Sequence, residues 1–312
     1  MKRKLTLEEG MSILQEGISK AMLILDGYPT GSLFTCEEYM KLYDCVYHMC
    51  VQQPPYEYCA ELYEIFKKAL EESITSRVRH TRLYILYSCQ VMPALKDKSQ
   101  ITLLYEVWNM WTKYKVMSKF LGGFFLYLDR HFTEDRNTAS LNELSICCFR
   151  DLVFSELYPK ILEAAISLIN QDREDNSDCR DLLKNVSTLF IEIGSGKMHY
   201  YDNFETAILA SSANYYNRLF PQWLLYYPPI DIFMKAQNCL NQEKDRASQF
   251  LHQTSVEKLL QVVHEQLLGQ TALDQAKLYE KQKTECGDCS IQYQEVLSGC
   301  AGLNLGEGSS RV

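Results

Sequence analysis

Residues 38–50 have the sequence Glu38-Tyr39-Met40-Lys41-Leu42-Tyr43-Asp44-Cys45-Val46-Tyr47-His48-Met49-Cys50. Apolar and aromatic side chains recur in it at steps of three and four residues, which is the spacing of one face of an α-helix. Thr35 and Glu38 have the spacing of a capping box, in which each side chain satisfies a backbone N–H at a helix start. Pro54 and Pro55 follow as a stop. The stretch therefore predicts an amphipathic helix with a wide aromatic face.

The same signals recur along most of the chain. Thr6 and Glu9 form a second capping box, and Gly27 with Pro29 ends that helix. No stretch alternates apolar and polar residues with β-branched enrichment over the length of a strand. The predicted fold class is all-α. Gly194 and Pro221 are predicted to separate consecutive helices. Beyond the helix just described, helices are predicted over residues 7–26, 58–70, 101–111, 116–132, 142–170, 179–193, 204–219, 230–249 and 255–283.

Composition and charge exclude several classes of protein. The chain has 312 residues and is 46% hydrophobic, which is enough for a buried core. Its formal net charge of -8 offers no basic surface for a phosphate backbone. The longest apolar run, residues 120–128, is far shorter than the ~18 residues that a membrane span needs. Glu8 and Glu9 stand where a signal peptide would be apolar, so no signal peptide is expected. We expect neither nucleic acid nor a membrane as a partner.

The 12 cysteines are scattered at single helical positions, which favours reduced, mostly buried thiols over a disulfide framework. Cys286 and Cys289 have the spacing of a metal-ligand pair. A structural zinc needs a second pair, however, and only Cys300 and His264 are near in the sequence. No metal or other cofactor is therefore predicted.

Two further motifs resemble enzyme signatures and fail on their spacing. Residues 194–197, Gly-Ser-Gly-Lys, look like the end of a phosphate-binding loop, but Ile191 and Met198 stand where that loop needs Gly and Ser or Thr. His264 and Glu265 begin like a zincin helix, but Leu268 replaces the second histidine. The motifs therefore indicate that the chain is not an enzyme.

The aromatic stretch has a wider likeness. Residues 38–50 resemble the second helix of the first repeat in the cullin family, and residues 115–117, 124–132, 141–143 and 148–154 are similar to the fifth helix and the following segment of plant cullins of the SCF class. Residues 183–186, 191–194, 213–216 and 249–252 continue the likeness, which covers roughly residues 5–280 in order. Many matches in one order make chance an implausible explanation.

The resemblance implies a fold and a domain organisation. Cullins carry five-helix repeats stacked end to end, so residues 1–150 are expected to form a first, adaptor-binding repeat. Residues 151–284 are expected to form a second and possibly incomplete repeat. Residues 285–312 form a Gly/Ser-rich tail that we expect to be disordered. Residues 77–90 have no counterpart in the family pattern and are expected to lengthen the loop between the third and fourth helices.

The resemblance also implies a function. In cullins the first repeat holds a Skp-type adaptor, which carries an F-box protein, on its second and fifth helices. A far C-terminal domain recruits the RING-box subunit, and we expect that domain and that partner to be absent here. The implied role is a non-enzymatic scaffold of SCF ubiquitin ligases in the cytoplasm and nucleus, inactive as a ligase or sequestering adaptors. The implied adaptor-binding residues are Tyr39, Met40, Tyr43, Val46, Tyr47, Phe124 and Tyr127.

Several alternatives stay open at this point. Met40, Val46 and Phe124 could belong to the core, because each helix of a bundle buries one stripe. The chain could also be a fragment of a full-length cullin scaffold in ubiquitin-dependent degradation, or an unrelated enzyme that uses Cys286 to Cys300. Gly122 and Gly123 would soften the fifth helix unless close packing requires them, since each costs about 1 kcal/mol relative to Ala.

Overall fold

A computed structural model describes residues 4–52, 57–91, 96–136, 138–175, 179–194 and 199–269. Within these ranges the chain is helical and contains no β-strand, so the all-α prediction is confirmed. None of the helices in these ranges has both the length and the apolar character that crossing a bilayer requires. The α-helices are α1 (Leu7–Met22), α2 (Cys36–Cys50), α3 (Cys59–Val91), α4 (Lys96–Phe124), α5 (Leu126–Arg136), α6 (Leu141–Phe149), α7 (Ser155–Asp175), α8 (Arg180–Ile193), α9 (His199–Tyr226), α10 (Pro229–Ala247) and α11 (Gln253–Leu268).

The predicted helix starts are confirmed by their caps. The Thr6 hydroxyl accepts from the Glu9 amide while the Glu9 carboxylate accepts from the Thr6 amide, and Thr35 and Glu38 repeat this exchange at α2. Gly27 ends the first helical segment in the left-handed region at φ 89°, where a side chain would be strained. These local signals act between neighbours in the chain, so they were readable from the sequence.

The chain divides into two compact units. The first unit comprises Met1–Leu168 and Thr188–Tyr200, and the second comprises Ile169–Ser187 and Tyr201–Val312. In the first unit α2 packs closely on α1, because a Cβ at Gly17 would lie 2.6 Å from the Leu42 side chain. Leu42, Val46 and Met49 form the buried face of α2. The opposite face of α2 is thereby left for contacts with α4 and α5, or for solvent.

Two predicted boundaries were wrong. Residues 77–90 do not lengthen a loop: α3 continues through them to Val91, because no Gly or Pro interrupts the helix before that point. Pro221 does not end a helix but lies inside α9. Phe220, Trp223 and Leu224 are buried on either side of it, and their burial outweighs the ~3 kcal/mol that an internal proline costs.

The fourth and fifth helices also differ from prediction. A single helix, α4, covers the predicted fourth helix and the first part of the fifth, and it ends at Phe124. After a one-residue turn at Phe125, α5 begins at Leu126. Gly122 and Gly123 therefore lie in the last turn of α4 rather than inside the fifth helix. The predicted helix over residues 142–170 is interrupted by a π-helical segment, Arg150–Phe154, between α6 and α7.

Candidate protein-binding site

An aromatic cluster joins α2 to the end of α4. The Tyr39 ring packs edge-on against Phe124 at 5.1 Å between centroids, and Phe34 packs against Phe124 at 5.3 Å. Phe120 extends the cluster, 6.2 Å from Phe34 and 6.5 Å from Tyr39. Rings in edge-to-face contact resist displacement. We call Phe34, Tyr39, Phe120 and Phe124 the aromatic base, because it supports the outer face of α2.

Gly123 is required by this packing. A Cβ at Gly123 would overlap the hydroxyl oxygen of Tyr39, whereas a Cβ at Gly122 would meet no atom within 4 Å. The close packing that the sequence analysis allowed for is thus present at one glycine of the pair and absent at the other. Tyr39 is half-buried there, and burial raises the pKa of its hydroxyl.

A row of less buried side chains lies along the same side of α2 and continues on α5. Tyr47 of α2 and Tyr127 of α5 touch edge to face, with centroids 5.1 Å apart and ring planes at 87°. Tyr43 and Tyr127 are half-buried, Tyr47 is exposed, and Met40 keeps 52% of its surface in solvent. We call Met40, Tyr43, Tyr47 and Tyr127 the tyrosine row. The pKa of the Tyr127 hydroxyl is raised, mainly by burial and to a smaller extent by the nearby Cys50 thiol and Tyr47 hydroxyl.

Two histidines flank the row, and the sequence analysis did not predict them. His48 packs edge-on to Tyr47 at 5.5 Å, and the His131 ring lies 4.4 Å from that of Tyr127. The Nδ1 of His48 donates to the Asp44 carbonyl oxygen at 2.7 Å, which fixes its ring orientation. The sequence gives no signal for the His48 contact, because adjacent helical residues do not share a face by spacing alone. The contact depends on how the two side chains are oriented.

The other two predicted site residues lie beneath the surface. Val46 and Phe124 both have 0% exposure. In this structure they have no surface that a partner could contact, and Phe124 instead belongs to the aromatic base. The structure therefore separates the seven predicted residues into the four of the tyrosine row, the two buried residues and Tyr39, which links the row to the base.

A cleft of about 860 Å³ runs along α4, reaches Tyr39 and Gly123 at one end, and is also lined by Trp111, Lys115 and Glu192. Glu192 is bound by two other lining residues: Trp111 Nε1 donates to Glu192 Oε2 at 2.6 Å, and Lys115 Nζ lies 2.7 Å from the same oxygen. These bonds hold the walls of the cleft together. The tyrosine row, whose rings present unoccupied surface, is the stronger candidate for binding a partner.

The motifs that resembled enzyme signatures stay unsupported. Among the residues that the structure describes, no three His, Cys, Asp or Glu side chains are grouped so that they could hold a metal ion. Cys286, Cys289 and Cys300 lie outside those residues, as does the predicted disordered tail. Gly194 follows the last residue of α8, so the loop-like motif comes after a helix and not after the strand that a phosphate-binding loop requires.

Comparison with known proteins gives one consistent likeness. The family described as "Cullin alpha solenoid domain" matches residues 12–289. Rice Cullin-1 is 40% identical over 286 residues, which are 91% of this chain and 36% of that protein. Arabidopsis Cullin-2 is 32% identical over 91% of this chain and 36% of its own length. The chain thus spans about a third of the length of these two relatives. Arabidopsis Cullin-like protein 3 is 28% identical over 83% of this chain and 95% of its own length.

Proposed function

This chain belongs to the cullin family, and we propose that it is a protein-binding scaffold that holds a Skp-type adaptor of a ubiquitin ligase on its tyrosine row. The adaptor carries an F-box protein in this proposal, and the chain itself performs no catalysis. Because the chain spans about a third of rice Cullin-1, the proposal concerns the surface present here. The observation that carries it is the tyrosine row, in which exposed and half-buried side chains of α2 and α5 lie side by side.

The composition of the row supports a protein partner. Tyr and Met are enriched in protein–protein interfaces, and Tyr is among the residues whose loss weakens binding most. Tyr47 keeps 38% of its surface in solvent and Met40 keeps 52%, although both are large and apolar. A monomer gains nothing from leaving such groups in water, whereas a partner that covers them gains their burial.

The rigidity of the row supports the same conclusion. Tyr47 and Tyr127 hold each other through their ring contact, and a histidine packs against each from outside. Beneath them the aromatic base and the buried Val46 fix the positions of α2 and α4. Side chains that are already ordered lose little rotamer freedom on binding. In this proposal Val46 and Phe124 act as supports, and the row makes the contacts.

The direct test is binding of purified Skp-type adaptor to the whole chain, measured by calorimetry. We expect Tyr43→Lys to weaken binding by about 2 kcal/mol, near thirtyfold, because it places an ammonium group in an apolar contact. Tyr105→Lys is the matched control. It changes an exposed tyrosine of α4 about 28 Å along the helix axis from Phe124, and it should leave binding unchanged.

Circular dichroism distinguishes loss of binding from loss of fold. The melting curve of Tyr43→Lys should match that of the unmodified chain, since Tyr43 is only half-buried. Should that variant unfold, Met40→Glu takes its place, because more than half of Met40 is already in water. Undiminished binding by a folded row variant, or no binding by the unmodified chain, would contradict the proposal.

A further inference from the structure

Two cysteines meet where α2 ends and α3 begins, inside the first unit. Cys50 is the last residue of α2, and Cys59 is the first residue of α3. The amide of Tyr58 donates to the carbonyl oxygen of Met49 at 3.2 Å, so the residues that directly precede the two cysteines are bonded to each other. Cys59 Sγ lies 3.9 Å from the carbonyl oxygen of Cys50. The two side chains therefore stand on neighbouring backbone, as a disulfide requires.

Both thiols are free and buried, and each affects the ionisation of the other. The Cys50 thiol donates a hydrogen bond to the Cys59 sulfur, and this bond is the main reason why the pKa of Cys59 is lowered and that of Cys50 is raised. Burial and the carboxylates of Glu57 and Glu61 oppose the lowering at Cys59, whereas the Arg136 guanidinium adds to it. The negative charge of the pair therefore resides on Cys59, and the thiolate is the form that reacts with oxidants.

Cys45 lies earlier on α2 and provides a contrast. Its Sγ lies 3.8 Å from the carbonyl oxygen of Gly10 and 3.9 Å from the Sδ of Met49, and neither of these acceptors can stabilise a thiolate. Burial raises the pKa of Cys45 to about 11, and the nearby Lys41 reverses only part of that effect. A protonated thiol is a poor nucleophile. Cys45 is therefore an internal reference, a buried cysteine that should resist oxidation.

We propose that Cys50 and Cys59 are a redox-active pair, which hydrogen peroxide converts into a disulfide that joins α2 to α3. The Cys59 thiolate attacks one oxygen of the peroxide, the O–O bond breaks, and the leaving hydroxide takes up a proton to become water. Cys59 is then a sulfenic acid. The Cys50 sulfur loses its proton and attacks the Cys59 sulfur, so that the S–S bond forms and a second water leaves. Two thiols lose two electrons, and one peroxide is reduced to two waters.

The pair lies close to the tyrosine row but is not part of it. Both thiols contribute to the raised pKa of the Tyr127 hydroxyl, so they stand near the inner end of that ring. Neither cysteine belongs to the row, and both are buried. The disulfide closes residues 51–58 into a loop and constrains the unfolded chain, which should stabilise the first unit. The inference therefore does not depend on adaptor binding, and its test needs this chain alone.

Peptide mass spectrometry of the whole chain after peroxide treatment tests the proposal. Cleavage after Lys41 and Glu57 places Cys50 and Cys59 in separate peptides, which should appear linked and should separate on reduction. The two free thiols should disappear together, at least about tenfold faster than that of Cys45, because Cys59 is the better nucleophile. In urea, where the fold is lost, the three thiols should react at similar rates. A preference that persists in urea, or no linked peptide in the folded chain, would overturn the proposal.

Two substitutions identify the reacting sulfurs. Cys45→Ser is the matched control and should keep the linked peptide, because Cys45 takes no part in the bond. Cys50→Ser should abolish the link and leave Cys59 as a sulfenic acid, which dimedone traps. Loss of the link in Cys45→Ser would overturn the proposal. So would a link that forms only between two copies of the chain, which a gel without reducing agent detects as a dimer.

The melting temperature tests whether the folded chain accommodates the bond. Peroxide-treated chain should melt roughly 5 °C above the same sample after dithiothreitol, because the disulfide is reduced whereas methionine sulfoxide is not. Cys50→Ser, treated in the same way, should show no difference between the two samples. A disulfide-bonded chain that melts at the same or a lower temperature than its reduced form would overturn the proposal, since the bond would then strain the fold.

Discussion

The tyrosine row of the first unit and the interior of the second unit use polar side chains in opposite ways. In the row, phenol and imidazole rings meet edge to face at the surface. In the second unit charged groups meet inside the protein: Arg173 lies 2.8 Å from Glu243, and both side chains are 1% exposed. The side chains of the row keep part of their surface in solvent, whereas the buried ions are paired with one another.

The buried ions form a network in which each charge has a partner. Arg246 Nε lies 2.6 Å from Asp172 Oδ2, and Arg246 Nη1 lies 2.7 Å from Glu243 Oε1. Tyr216 adds its hydroxyl, which donates to Glu243 Oε1 at 2.8 Å. Burial alone would raise the pKa of Glu243, but Arg173 and Arg246 reverse that effect and leave the pKa below its usual value. Such a network specifies one arrangement of α7, α9 and α10.

The largest effect that we predict comes from breaking this network. Glu243→Ala leaves Arg173 and Arg246 buried without their shared carboxylate, and we expect a loss of about 3–5 kcal/mol in the free energy of unfolding. Urea denaturation followed by circular dichroism measures it. Lys258→Ala, which removes the exposed partner of Glu205, is the control and should have little effect. Equal losses in the two variants would show that the buried network contributes no more than a surface pair.

A smaller effect is predicted at the glycine pair, where two adjacent residues should respond with opposite signs. Gly123→Ala should destabilise the fold by roughly 1–3 kcal/mol and weaken adaptor binding, because the new methyl group displaces Tyr39 from the aromatic base. Gly122→Ala meets open space and should stabilise α4 by up to about 1 kcal/mol. Thermal melting and calorimetric binding measure the two variants side by side.

The double variant Tyr39→Phe with Gly123→Ala identifies the cause. Removing the Tyr39 hydroxyl, the atom that a Cβ at Gly123 would overlap, should restore part of the lost stability. If the two substitutions are instead simply additive, the loss at Gly123 comes from the helix backbone and not from Tyr39.

The smallest effect is predicted for the end of the chain. Removing residues 285–312 should leave the melting temperature and helix content unchanged, since this Gly/Ser-rich stretch offers little apolar surface to bury. A drop of several degrees would show that the removed stretch packs on the folded units or binds a metal.

The sequence by itself determined the fold class, the family and most helix positions. Capping boxes at Thr6 and Thr35 and stripes of apolar residues are local signals, since they involve residues within a few turns of each other. They located α1, α2 and α8 to within a few residues. The same locality explains the error at Pro221, where buried neighbours on α9 outweighed a local helix-breaking signal.

Only the tertiary structure decided how the side chains of a stripe are used. Val46 and Tyr47 are adjacent in the sequence, yet one has 0% exposure and the other 38%, because α1 covers one side of α2 and the other side meets α5 at the surface. Position 123 requires glycine because Tyr39 packs against it. The buried Glu243 carboxylate stays charged because it is paired with Arg173, seventy residues away. Periodicity identifies which residues share a face, but burial depends on which distant segment packs against that face.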